Sequence, residues 1–314
     1  MLVSSADGLI HKKQLRLMGN AFEISVVDER ADWAAERIDE AIAEIRRIEA
    51  LLTTFSDDSQ TNQINQQAGI QPVKVDKEVF DLIKRSLKIS ELTQGAFDIT
   101  YGSIDKSLWN FDLSMKALPD AETARKSVRL INYKNVLLDE SESTVFLKEK
   151  GMRIGFGGIG KGYAAEKAKM LMISKGVKSG IVNASGDLST WGSQPNGNAW
   201  TVGIADPNAQ HNIFSSLKIS NIAVATSGNY EKFVVINGKK YSHTIDPKTG
   251  LPVSGIKSVT ILSPNAELAD AMATPIMVMG VKVGLNLINQ MQGIACIIVD
   301  DANKIHTSKN ININ

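Results

Sequence analysis

From the amphipathic run ADWAAERIDEAIAEIRRIEALLTTF near the N-terminus to the closing apolar run IACIIVD, the chain offers no point of division. It has no internal repeat, no low-complexity tract and no Pro/Gly/Ser linker. A length of 314 residues suits two domains, or one large domain with insertions. Uninterrupted alternation of helix-period and strand-period segments argues instead for interleaved α+β layers. Ile38, Ile42, Ile45, Ile48 and Leu52 recur at three- and four-residue steps and predict one long helix. Asp76 is the expected N-cap of a second, with Val79, Leu82, Ile83 and Leu87 on one face and Gly95 beyond its end. GAFDIT reads as a short strand, a third helix is expected near Pro119 and Asp120, and NVLLDE with STVFLKE reads as a hairpin. The second half is richer in strands, and Asn237-Gly238 is its strongest hairpin signal. Helices near 266–280 and 283–291 precede the last strand.

Composition narrows the function classes. A formal charge of +1, with no basic stripe, gives no electrostatic reason to expect nucleic acid. Apolar residues make up 43% and charged ones 22%, an ordinary globular balance. Cys296, the single cysteine, lies in the apolar run IACIIVD and reads as a core thiol, which rules out a disulfide framework. No stretch is read as reaching the roughly 20 apolar residues of a membrane span. MLVSSADGLIHKKQ, residues 1–14, reads as a flexible polar leader without a signal-peptide core, ahead of a single domain over 15–314.

Three places carry chemistry. GFGGIGKGYAAEKAKM contains Gly155-x-Gly157-x-x-Gly160, the spacing of a dinucleotide fingerprint, and also Gly155-x4-Gly160-Lys161, close to a phosphate loop. Gly162 stands where a phosphate loop needs Ser or Thr, and the run follows an apparent antiparallel hairpin where a Rossmann unit needs its first parallel strand. What both readings share is glycine-rich backbone opening into a helix N-terminus, which favours an anion; a purely structural turn is the third reading. In LADAMATPIMVMG, Asp270 and Thr274 are four residues apart and share a helix face. They either make local caps and back-bonds or, if the glycine run holds a diphosphate, offer oxygens to a hard cation such as Mg²⁺. His243, in YSHTIDPKTG, is a surface or core histidine or a catalytic one; His11 and His306 lie near the ends and His211 in a polar loop.

Eight landmarks in order, LMGNAFEI, LTTFSDDSQTNQIN, GAFDIT, GGIGKGYAAEKA, NASGDL, ATSGNYE, HTIDPKTG and LADAMATPIMVMG, give the chain its resemblance to the ApbE family of FAD:protein FMN transferases over about residues 15–300. The resemblance implies a T-fold-like α+β core and a Mg²⁺-dependent enzyme that cleaves the FAD diphosphate. FMN would pass to a Thr or Ser hydroxyl of an acceptor flavoprotein subunit of a membrane redox complex, with release of AMP. It implies Asp270, Thr274 and a backbone carbonyl near Gly158 as metal ligands, and Met18, Phe55, Ala96, Phe97, Asp98, Lys161 and Thr244 as FAD contacts. Lys161 would offset phosphate charge and His243 would be the base. Relatives are usually exported, often to the outer face of the inner membrane, so a periplasmic location is expected. Gly155 stands where many relatives carry an acidic residue, and Phe55 where a tyrosine is common. FAD hydrolysis to FMN and AMP, and passive flavin binding, are the alternatives.

Overall fold

The computed structural model describes residues 9–108, 117–206, 209–229, 233–236 and 238–311. In chain order the strands and helices are β1 (Ile10–Leu17), β2 (Asn20–Val27), α1 (Ala31–Leu52), α2 (Gln60–Gln66), β3 (Val73–Lys74), α3 (Lys77–Leu92) and α4 (Ala121–Ser127). Next come β4 (Val136–Asp139), β5 (Thr144–Leu147), α5 (Gly160–Ser174), β6 (Gly180–Ala184), β7 (Asp187–Trp191), β8 (Trp200–Asp206), β9 (Ala209–Ile219) and β10 (Ala223–Gly228). The last are β11 (Phe233–Ile236), β12 (Lys239–Ser242), β13 (Ile256–Ser263), α6 (Ala266–Ile288), β14 (Ala295–Asp300) and β15 (Ile305–Thr307).

An eight-stranded antiparallel sheet, ordered β1-β2-β6-β7-β10-β13-β14-β15, is the frame. Alternation along each strand divides its two faces. Val182, Ala184, Ala223, Ala225, Val259 and Ile261 point into the main core, which α1, α5 and α6 complete. Leu188 and Val224, cross-strand partners, point the other way, onto Trp200, Val202 and Ile219 of the long β8–β9 hairpin. The α+β expectation holds, with helices stacked on one face and a hairpin on the other.

The predicted helices form largely as read. Ile38, Ile42, Ile45, Ile48 and Leu52 are all buried along α1. Asp76 precedes α3, but its carboxylate accepts from Gln60 Nε2 at 2.6 Å instead of capping the helix. Asp120 caps α4, accepting from Glu122 and Thr123 N–H. The β4–β5 and β11–β12 hairpins are present, with Asn237 itself outside the described residues. The two C-terminal helices run together as α6, broken at Gly280 (φ 81°).

Five readings are corrected. GAFDIT is not a strand: Asp98 Oδ1 accepts from the Thr100 N–H and hydroxyl, a cap that opens a 3₁₀ turn over Ile99–Ser103. Of the leader, residues 10–14 belong to β1, paired to β2 from Ile10↔Val27 onward, while residues 1–8 lie outside the description. His211 falls within β9, not in a loop. β15, unforeseen, adds the outer edge. Finally, α6 is long and apolar enough to cross a membrane by length and composition. It instead packs in the core, with Ala269, Ala271, Met272 and Ile276 at 0% exposure.

Candidate functional site

α5 begins at Gly160 with no side-chain cap of its own, since its N-cap position is Ile159. The missing acceptor comes from α6, where Asp270 Oδ2 accepts from Gly162 N–H at 2.9 Å. A carboxylate at a helix N-terminus gains from both the unpaired N–H groups and the dipole. This contact needs Gly162 to lack a side chain. A Cβ there would stand 2.2 Å from the Ala266 carbonyl oxygen and 2.6 Å from Asp270 Cβ. The Ser or Thr of a phosphate loop therefore has no room, and the antiparallel surroundings exclude the Rossmann reading as well.

Lys161, the next residue back, projects into the same spot. Its Nζ contacts Asp187 of β7 and stands 3.5 Å from Asp270 Oδ1. Asp187 and Asp270 are 4% and 6% exposed, so one ammonium serves two buried carboxylates and the cluster carries net negative charge. Burial opposes the charge on Lys161, but Asp270 and Asp187 outweigh it and hold its pKa above the ordinary lysine value. Burial and then the Asp270 charge push the Asp187 carboxyl upward, with Lys161 opposing. Asp187 also accepts from Thr226 N–H at 3.3 Å. It was not singled out in the sequence; it opens β7, whose five residues are all buried.

One turn further along α6, the Thr274 hydroxyl lies 3.4 Å from Ser227 Oγ of β10. A turn beyond that, Met277 Sδ receives the Thr244 hydroxyl at 3.9 Å. Asp270, Thr274 and Met277 thus form one stripe along α6, facing α5, β10 and the 243–250 turn. Glu166 of α5 fixes the start of this helix by accepting from Ala266 N–H at 2.9 Å. Two carboxylates and two hydroxyls, all hard oxygens with an excess of negative charge, fit a small divalent cation. Among the described residues there is no cluster of three His, Cys, Asp or Glu able to hold a metal, so such an ion would need neutral oxygens and ligand phosphates as well.

Of the other expected residues, Phe97 and Met18 lie against the glycine turn. A Cβ on Gly158 would meet the Phe97 ring at 3.4 Å, and one on Gly160 would meet Met18 Cε at 3.6 Å. Met18 sits in the β1–β2 turn with φ 50°, its carbonyl accepting from Asn20 Nδ2 at 2.7 Å. Phe55 is 98% exposed, on a loop held by Asn62, whose Nδ2 donates to Thr54 and Ser56 carbonyls at 2.9 Å. Asn65 holds the entry to the glycine turn, bonding both Ile154 N–H (2.7 Å) and Ile154 C=O (3.1 Å). Ala96 is buried. Asp98 gives its carboxylate to Thr100 and to Tyr133 N–H at 2.9 Å, so its role in this structure is to shape the 95–103 turn.

His243 is exposed at the end of β12, and Thr244 behind it is buried. The turn that follows rests on the segment around α4. Gly250, with φ 72°, lies so close that a Cβ would be 2.0 Å from the Ala124 carbonyl. Ile245 packs with Ile104 and Val128. Tyr101, pushed up to about 12 by burial, takes a hydrogen bond from the Ile245 backbone. These contacts fix where the imidazole begins.

A family model described as the ApbE family matches residues 18–298. An FAD:protein FMN transferase of Klebsiella pneumoniae is 33% identical over 268 residues, covering 83% of each chain. One of Treponema pallidum is 29% identical, covering 87% of this chain and 80% of its own. Among solved structures, the ApbE protein of Thermotoga maritima superposes with a TM-score of 0.85 at 30% identity, covering 96% of this chain and 97% of its own. The flavin transferase ApbE of Vibrio cholerae shares the fold, with a TM-score of 0.83 at 24% identity over 96% of this chain and 97% of its own.

Proposed function

The chain belongs to the ApbE family, and on that premise we propose that it is an FAD:protein FMN transferase whose reaction is assisted by Mg²⁺. The observation that carries this reading is the meeting of α5 and α6, where Lys161 and the buried Asp270 and Asp187 gather at the glycine-opened start of α5. Passive flavin binding has no need of two buried carboxylates at that point.

Asp270, Thr274 and a carbonyl near Gly158 would hold the cation. When bound, it would offset charge on the diphosphate, which is most of what phosphoryl-type transfer demands. Lys161 supplies a second positive charge, already held in place, to the phosphate oxygens. Phe55 offers an open aromatic face, Met18 and Phe97 lie against the glycine turn, and Ala96 and Thr244 would complete the flavin site by family likeness. An imidazole nitrogen of His243 takes the proton from the acceptor Thr or Ser hydroxyl. Its oxygen forms the new bond to the FMN phosphorus as the bond to the AMP oxygen breaks, and AMP departs. A positioned base of this kind contributes roughly 10²- to 10⁴-fold. By family likeness, the acceptor is a flavin-carrying subunit of a membrane redox complex and the enzyme is periplasmic.

The test is His243→Ala, with a flavin-carrier domain as acceptor, FAD and Mg²⁺. Mass spectrometry should show a metal-dependent gain of one FMN in the wild type and its loss in the variant, with FAD binding by fluorescence retained. Transfer at the wild-type rate by the variant removes His243 as base. AMP and free FMN without labelling of the acceptor would make the protein a hydrolase.

A further inference from the structure

Lys161 pairs with two carboxylates but sits closer to one. Its Nζ is in contact with Asp187 Oδ2 and stands farther off, at 3.5 Å, from Asp270 Oδ1. Asp187 is well placed to keep it there: the side chain is 6% exposed, springs from the sheet, and is pinned at Oδ1 by Thr226 N–H at 3.3 Å. Asp270 spends Oδ2 on the Gly162 N–H, and Oδ1 has no closer partner than Lys161 among the described contacts. Lysine carries its charge on a flexible four-carbon stem, so only the rival carboxylate opposes closure onto Asp270. A charge-assisted contact there would shorten to about 2.8 Å and use the oxygen that the cation reading needs.

We propose that Asp187 is a positioning residue that holds the Lys161 ammonium back from Asp270 and so keeps an Asp270 oxygen open to a divalent cation. Asp187 acts through Lys161 and is not itself a ligand. The same hold presents the ammonium from the sheet side, ready for an anion arriving with the cation. The proposal rests on the cation reading above, and its test separates the two.

Mn²⁺ is the probe, titrated into the full-length protein with FAD bound and no acceptor present, with free Mn²⁺ read by electron paramagnetic resonance. Wild type, Asp187→Asn, Lys161→Gln and the double variant are compared, each with a thermal melt to verify folding. In Asp187→Asn the amide still accepts from Thr226 but no longer holds the ammonium, and Mn²⁺ affinity should fall about tenfold. Lys161→Gln should bind at least as tightly as wild type. In the double variant the Asp187→Asn penalty should vanish, leaving it within about twofold of Lys161→Gln.

Wild-type affinity in Asp187→Asn overturns the proposal alone. A penalty that persists in the double variant makes Asp187 a direct ligand and overturns it too, as does weaker binding by Lys161→Gln, a result that stands even if Asp187→Asn does not fold. No Mn²⁺ binding by the wild type removes the cation reading and this proposal with it.

Discussion

Replacing Gly162 by alanine adds one methyl group where α5 and α6 touch. The new Cβ would lie 2.2 Å from the Ala266 carbonyl oxygen, and contacts below 3.0 Å are essentially never seen, so the helices must part by about 0.8 Å. A shift of that size takes the Gly162 N–H to Asp270 bond from 2.9 Å past hydrogen-bonding range. Overpacking costs about 1–3 kcal/mol and the lost bond to a buried carboxylate about 1.5–3. Alanine returns about 1 kcal/mol of helix propensity. The net loss is about 1.5–5 kcal/mol. With an unfolding entropy of about 2.1 cal/mol/K per residue over 314 residues, each kcal/mol moves Tm by about 1.5 °C, so the melt should fall by about 2–8 °C. Gly157→Ala is the control, because its Cβ would meet nothing within 4 Å. Differential scanning fluorimetry decides the matter. If Gly162→Ala melts within about 1 °C of the wild type, or Gly157→Ala falls as far, the close approach does not govern the site.

Two other outcomes follow from buried groups. Asn65→Ala strips both partners from the Ile154 peptide unit and should cost about 2–4 kcal/mol in urea unfolding, with weaker FAD binding as the glycine turn loosens; an unchanged midpoint would refute the clamp. The Cys296 thiol, fully buried and pushed up to about 12, should resist Ellman's reagent at pH 8 until the protein is unfolded. Its folded pKa lies above the unfolded value of 9.0, so between pH 9 and about 12 the unfolded chain sheds a proton that the folded chain keeps. Stability therefore falls as pH rises through that window, and rapid labelling of the native protein would contradict the burial.

Local signals in the sequence carried the elements that local physics decides. The Ile38-to-Leu52 spacing gave α1, and the four-residue step from Asp270 to Thr274 did place both on one side of α6. GAFDIT misled because its apolar–polar alternation imitates a strand, while Asp98 was engaged in capping its own turn. Asp187 stayed hidden because its meaning lies in Lys161, 26 residues away, and nothing in NASGDL announces that partner. Asp98 was expected at the flavin from likeness alone, yet two backbone N–H groups and a hydroxyl already occupy its carboxylate. Which oxygens are spoken for is decided by contacts between distant segments, and spacing does not encode it.

The contact between Gly162 and Asp270 joins residues 108 positions apart, and Met18 meets the same glycine turn from near the other end of the chain. Closing loops of this length costs entropy before any contact returns it, so the pieces of this centre assemble late in folding. A chain cut short of α6, or one still being synthesised, has the glycine turn and Lys161 but no acceptor for the Gly162 N–H and no second carboxylate. The carboxylate pair around Lys161 thus exists only once the last helix is in place, and an unfinished chain lacks it.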